Sequence, residues 1–148
     1  MFLYTFNTWL IANLLHPLMF MAFGFIIYGH DGLLFYADIV KGYLLVLGVS
    51  LLCSLPALLI GWLLLGMVVL SEYTPLARLI MWIICSATLV FLEVLVMALI
   101  VRESLTLETF SLAIPGILAV SASIIIRYKQ FQKLISSLQT NDHENNLG

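Results

Sequence analysis

Apolar residues in this chain come in long unbroken blocks, not in the alternation of a half-buried strand or the three-and-four stepping of a surface helix. A helix that crosses a bilayer needs about 20 mainly apolar residues. Four blocks answer to that length: Thr8 to Tyr28, Tyr43 to Leu70, Leu76 to Val101 and Phe110 to Ile126. The polar residues between them read as connections. Gly29-His30-Asp31-Gly32 is a turn signal. Ser71 to Pro75 is a tight link, with Thr74 placed to cap the third helix and Pro75 at its tolerated first position. Arg102 to Thr109 is a loop in which Thr106 and Glu108 suit the start of the fourth helix. Leu33 to Gly42 holds Asp38 and Lys41 among apolar residues and reads as an interfacial segment leading into the second block.

The second block is too long. As a straight helix, Tyr43 to Leu70 measures about 42 Å against a hydrocarbon core of about 30 Å, so tilt, a kink at Pro56 or protrusion must absorb the excess. After Ile126 the pattern changes. Arg127, Lys129 and Lys133 cluster, while Tyr128, Phe131, Ile135 and Leu138 recur at helical spacing, predicting a short amphipathic C-terminal extension. Residues 139–148 are polar and expected to be disordered. The predicted fold is an all-α integral membrane protein, a four-helix transmembrane bundle forming one domain over 1–138.

Composition agrees with this reading. The chain is 63% hydrophobic and 9% charged, with a mean hydropathy of +1.12. Soluble domains are about a quarter charged, so lipid has to cover the surface that polar groups cannot. Six Lys and Arg against eight Asp and Glu give a net charge of −2, and no basic block follows a phosphate backbone, which argues against nucleic acid as a partner. Met1 to Leu10 lacks Lys and Arg, so the first block has no signal-peptide n-region and is expected to stay in the mature protein. The basic trio Arg127, Lys129 and Lys133 is expected to anchor at the cytoplasmic membrane surface. Four crossings then place the amino terminus in the cytoplasm too, in a protein of the bacterial inner membrane.

Hydrophobicity inserts helices but does not associate them; close packing and interhelical hydrogen bonds do. Ser50, Ser54, Ala57 and Gly61 form one small-residue seam, and Gly116, Ala119 and Ser123 a shorter one. Both suit packing within the chain, or self-association with a second copy.

Among the polar residues inside the blocks, Glu93 in SATLVFLEVLVMALIV is the most demanding. An acid at a helix centre costs about 2.5–3.5 kcal/mol to insert. Without a cation or water beside it, Glu93 is expected to carry its proton and donate a hydrogen bond between helices. Counted from Leu76, Glu93 lies about 25 Å along its helix, whereas His16 counted from Thr8 lies about 12 Å along its own. This predicts two polar clusters. Glu93 falls with Ser50, Ser54, Tyr28 and Ser111, while Asn13 and His16 fall with Ser121 and Ser123. His16 is also placed to satisfy backbone groups opened by Pro17. Cys53 and Cys85 form neither a CxxC nor a zinc spacing and read as small core residues. Asp142-His143-Glu144 reads as solvated tail, and no metal or cofactor is expected.

These features predict a small non-catalytic tetraspan membrane protein. It would act through protein-protein contacts in the bilayer, as an accessory subunit, an immunity or defence component, or a scaffold. The alternative is a small transporter or channel using Glu93 as a proton or cation site, oligomeric because four helices from one copy are expected to enclose little room. Enzymatic activity is not expected, since the cysteines are lone and the loop acids scattered.

Overall fold

A computed structural model describes the backbone of residues 1–28, 39–102, 106 and 110–145, with side chains for 1–26, 40–102, 106 and 110–137. Among the described residues the chain is helical, with α1 Phe2–Tyr28, α2 Ile39–Cys53, α3 Leu55–Leu70, α4 Pro75–Val101, α5 Ala113–Ile126 and α6 Tyr128–Asn145. The turn at 29–32 and most of the interfacial segment, 33–38, lie outside the described residues; 39–42 form the first turn of α2. Two helices are long and apolar enough to cross a membrane, α1 over Phe2–Ile26 and α4 over Pro75–Val101. The count rises to three if α2 and α3, bent by 55° at a short break, form one span.

Pro56 and Pro115 account for two of the irregularities, whereas Pro17 lies within the continuous α1. Pro56 has no N–H to offer Leu52, and the Ser54 hydroxyl turns back onto the Ser50 carbonyl at 2.6 Å, a local bond that bends helices. The long second block therefore relieves its excess length by kinking. The fourth block behaves differently from the expected 110–126 span. Phe110 and Ser111 are helical, Leu112 is a turn, and regular helix resumes only at Ala113, because Pro115 cannot bond the Ser111 carbonyl. The 14 residues of α5 extend about 21 Å, short of a full crossing by themselves.

The ends of α4 carry their signals. The Thr74 hydroxyl accepts from the Ala77 N–H at 3.3 Å, with Pro75 following at the first turn. Arg102 closes the helix in the left-handed conformation, φ 58°, and donates its N–H to Ala98 and Leu99. Thr74→Ala should cost about 1 kcal/mol, read as a small fall in Tm of the detergent-solubilised protein.

The packing order makes a ring. α1 packs most extensively on α5, α5 packs on α4, α4 on α3, and the bent α2/α3 pair returns to α1. At one end the ring is closed by a buried cluster of Tyr4, Leu65, Val68, Val69, Trp82, Ile124, Phe131 and Ile135, drawn from α1, α3, α4, α5 and α6. This end is the base of the bundle. Phe131 is 0% and Ile135 3% exposed, so the apolar stripe of α6 is docked against the bundle. Its helix continues through Asn145, so 139–145, expected to be disordered, carry helical backbone; propagation from a docked stretch adds one hydrogen bond per residue. The start of α1 and the start of α6 meet at the base. Exposed Leu, Ile, Val and Met side chains cover the outer faces of α2, α3 and α4.

Candidate functional site

Above the base the ring frames a half-open cavity of about 770 Å³. Its existence follows from the bend at Ser54: α3 packs on α4, whereas α2 packs on α1 and α3. Leu45, Val46 and Val49 of α2 and Val94, Met97 and Val101 of α4 therefore line the cavity from opposite sides. One copy of the chain thus lines a cavity of this size by itself.

The polar wall begins on α1. Trp9 Nε1 donates to Ser54 Oγ at 2.9 Å, and Asn13 Nδ2 donates to the Trp9 carbonyl at 2.9 Å. Asn13 Oδ1 accepts from Ser50 Oγ at 2.5 Å and faces Ser54 Oγ at 3.2 Å. His16 Nδ1 lies 3.1 Å from Ser50 Oγ. A hydroxyl has one proton; with Ser50 giving its own to Asn13, His16 Nδ1–H is the donor in that contact. Neutral His16 then keeps Nε2 as an acceptor, on the side facing Gly116 of α5.

Glu93 joins the same cavity from α4, together with Ser86. It is half-buried, and among the described residues its carboxyl makes no hydrogen bond or ion pair. Ser111 and Thr106 complete the wall near the far end.

The two-cluster expectation is corrected by this arrangement. Ser50 and Ser54 line the cavity with Glu93, but their hydrogen-bond partners are Asn13, His16 and Trp9. Ser121 and Ser123 stand apart from Asn13 and His16: neither lines the cavity, and the fully buried Ser123 donates to the Val120 carbonyl of its own helix at 2.8 Å. The cause is the start of α1. The helix begins at Phe2, so His16 stands about 21 Å from its amino-terminal end and Glu93 about 27 Å from the start of α4, which brings them to similar levels of the bundle. The Tyr28 side chain lies outside the described residues. His16 turns to Ser50 instead of the backbone near Pro17; the Tyr43 hydroxyl, which sequence reasoning missed, donates to the Leu14 carbonyl there at 3.0 Å.

Small residues give the walls their shape. Ser50, Ser54, Ala57 and Gly61 all face the cavity, and a Cβ at Gly61 would sit 3.7 Å from the Trp82 ring. On α5, Gly116 lies against Val90 and His16, and Ala119 and Ser123 are buried. Cys53 and Cys85 are free thiols, half-buried, with Cys53 on the cavity wall. At the base, Arg127 is turned inward. Its Nη1 donates to the Tyr4 carbonyl at 2.7 Å and to Thr8 Oγ1 at 3.2 Å, and its guanidinium lies 4.7 Å from the Tyr4 ring centroid. Lys129 and Lys133 remain exposed. Asp142, His143 and Glu144 have side chains outside the described residues.

Chemically, the cavity offers one acid, one imidazole acceptor and a fixed hydrogen-bond network on a mainly apolar lining. Ser50 contacts the His16 imidazole but gives its proton to the Asn13 amide oxygen, unlike a nucleophile whose proton is held by a base. Comparison with protein-family models, with curated proteins and with solved structures returns no match.

Proposed function

We propose that this protein is a non-catalytic inner-membrane protein of four crossings, with both termini cytoplasmic, that binds a cationic amphiphile from the bilayer in its central cavity. α5 together with Phe110 and Ser111 forms the fourth crossing, completed by the base cluster. The observation that carries the reading is the position of Glu93, whose unpartnered carboxyl faces a cavity of about 770 Å³. Intramembrane acids facing a cavity commonly serve ion or substrate paths, and small-molecule sites pair an apolar lining with a few convergent polar groups. The apolar part of the ligand rests between α2 and α4, and its cationic group meets Glu93, with His16 Nε2 as a nearby acceptor. Movement of such a ligand, or exchange of it for a proton on Glu93, would make the protein a small transporter.

The test uses tetraphenylphosphonium as the probe. The purified protein should bind it in detergent, and Glu93→Gln should weaken binding at least about tenfold, the value of one interaction with a charged group, while remaining folded. The exposed Glu72→Gln should leave binding unchanged. Equal affinity in wild type and Glu93→Gln overturns the reading.

A second reading, a tetraspan accessory or scaffold protein acting on another membrane protein or on its own copies, is supported by Gly48 on α2 and Gly66 on α3. A Cβ at either would meet nothing within 4 Å, so both leave room for a close helix approach from outside. A stoichiometric partner retained after gentle solubilisation, and lost in Gly48→Leu or Gly66→Leu, would favour it.

A further inference from the structure

At the base, about 22 Å along α4 from Glu93, three buried donors have no acceptor. Arg78 Nε, Trp82 Nε1 and Tyr4 Oη have no partner within hydrogen-bond distance, although their residues are only 6%, 3% and 6% exposed; the Trp82 and Thr8 side chains neighbour the Tyr4 hydroxyl. Arg78 and Trp82 are one turn apart on the same face of α4, and Trp82 shares its buried cluster with Tyr4. Arg127 adds a second guanidinium at the Tyr4 ring. A buried donor without a partner costs about 1–3 kcal/mol, more when charged, and a guanidinium is shaped to bind a tetrahedral oxyanion through two parallel bonds. Arg78 stands one turn inside the start of α4, at the depth where a helix enters the headgroup layer.

We infer that Arg78, Trp82 and Tyr4 form a binding site for a phosphate group at the base of the bundle. The phosphate belongs to a lipid headgroup or is a free anion; the chemistry is common to both. Basic pockets between transmembrane helices on the cytoplasmic side take phospholipid headgroups in this way. Trp82 also lines the Glu93 cavity, whereas Arg78 and Tyr4 do not.

The experiment measures Tm of the full chain in detergent with short-chain phosphatidylglycerol, with inorganic phosphate, or with neither. At a hundredfold excess over its Kd the bound species should raise Tm by about 5–10 °C. A rise with the lipid alone assigns the headgroup, and a rise with inorganic phosphate assigns the free anion. Arg78→Met should weaken the effect at least about tenfold, and Tyr4→Phe and Trp82→Phe, which delete one donor each, about fivefold or more. Glu93→Gln should respond as wild type. Two results overturn the inference: no rise with either species, or a rise that survives Arg78→Met and Tyr4→Phe and disappears in Lys129→Gln/Lys133→Gln, which places the anion on the exposed lysines. Without added ligand, Tyr4→Phe should be neutral or stabilising, because it removes an unpaired buried hydroxyl.

Discussion

Gly116→Leu is expected to abolish the packed bundle or to lower its Tm by about 5 °C or more. A Cβ at this position would lie 2.8 Å from Val90 Cγ1 and 3.9 Å from His16 Nε2. Val90 is β-branched and nearly fixed in one rotamer on a helix, so it has little room to move aside. The clash falls where α5 passes both α1 and α4, the two helices it holds together. Replacing glycine in a helix gains about 1 kcal/mol of propensity, which offsets part of the strain for Ala but not for Leu. Gly66→Leu is the matched control: nothing lies within 4 Å of that Cβ, so the same change should be neutral or slightly stabilising in thermal unfolding. Equal Tm for the two variants would show that the α1–α5–α4 contact does not hold the fold together.

Arg127→Met should destabilise the protein by about 2–4 kcal/mol, the sum expected of a charge-assisted hydrogen bond and a partly desolvated cation–π contact. It should also loosen α6, seen as faster hydrogen exchange over residues 128–137. The guanidinium holds the Tyr4 carbonyl and Thr8 hydroxyl while stacking on the Tyr4 ring, and Tyr4 in turn packs on Phe131, with ring centroids 5.9 Å apart. Lysine is a point charge on a flexible stem and reproduces neither the fork nor the stack, so Arg127→Lys should retain little of this stability. If Arg127→Lys behaves as wild type, Arg127 is a surface anchor, as the basic trio alone suggested.

Much of the architecture could be read along the chain because its causes are local. Block length gives α1 and α4 as helices long and apolar enough to cross a membrane, Thr74 and Pro75 give the start of α4, and Pro56 gives the break in the second block. Phe131 and Ile135 were legible as an apolar stripe but not as a docked one, since a stripe does not say what it faces. The polar site was harder. The sequence groups Glu93 with Ser50, Ser54 and Ser111, which do share the cavity, but depth counted from Thr8 separates Asn13 and His16 from them, whereas the helix begins at Phe2; six residues of helix move a side chain about 9 Å along the axis. Tyr43, Trp9 and Arg78 carried no signal at all, as each matters through a contact with a residue far away in the chain or through the absence of one.

Composition and block length are properties of the chain in order, and they suffice to say that this protein is helical and contains segments long and apolar enough to cross a membrane, because insertion depends on the hydrophobicity of each segment taken alone. Whether α2 and α4 touch or part, and so whether Glu93 faces a neighbour or an open cavity, depends on a 55° bend and on which ring positions the helices take. Those are relations between segments. In lipid they rest on close packing and a few hydrogen bonds, neither of which leaves a periodic trace in the sequence.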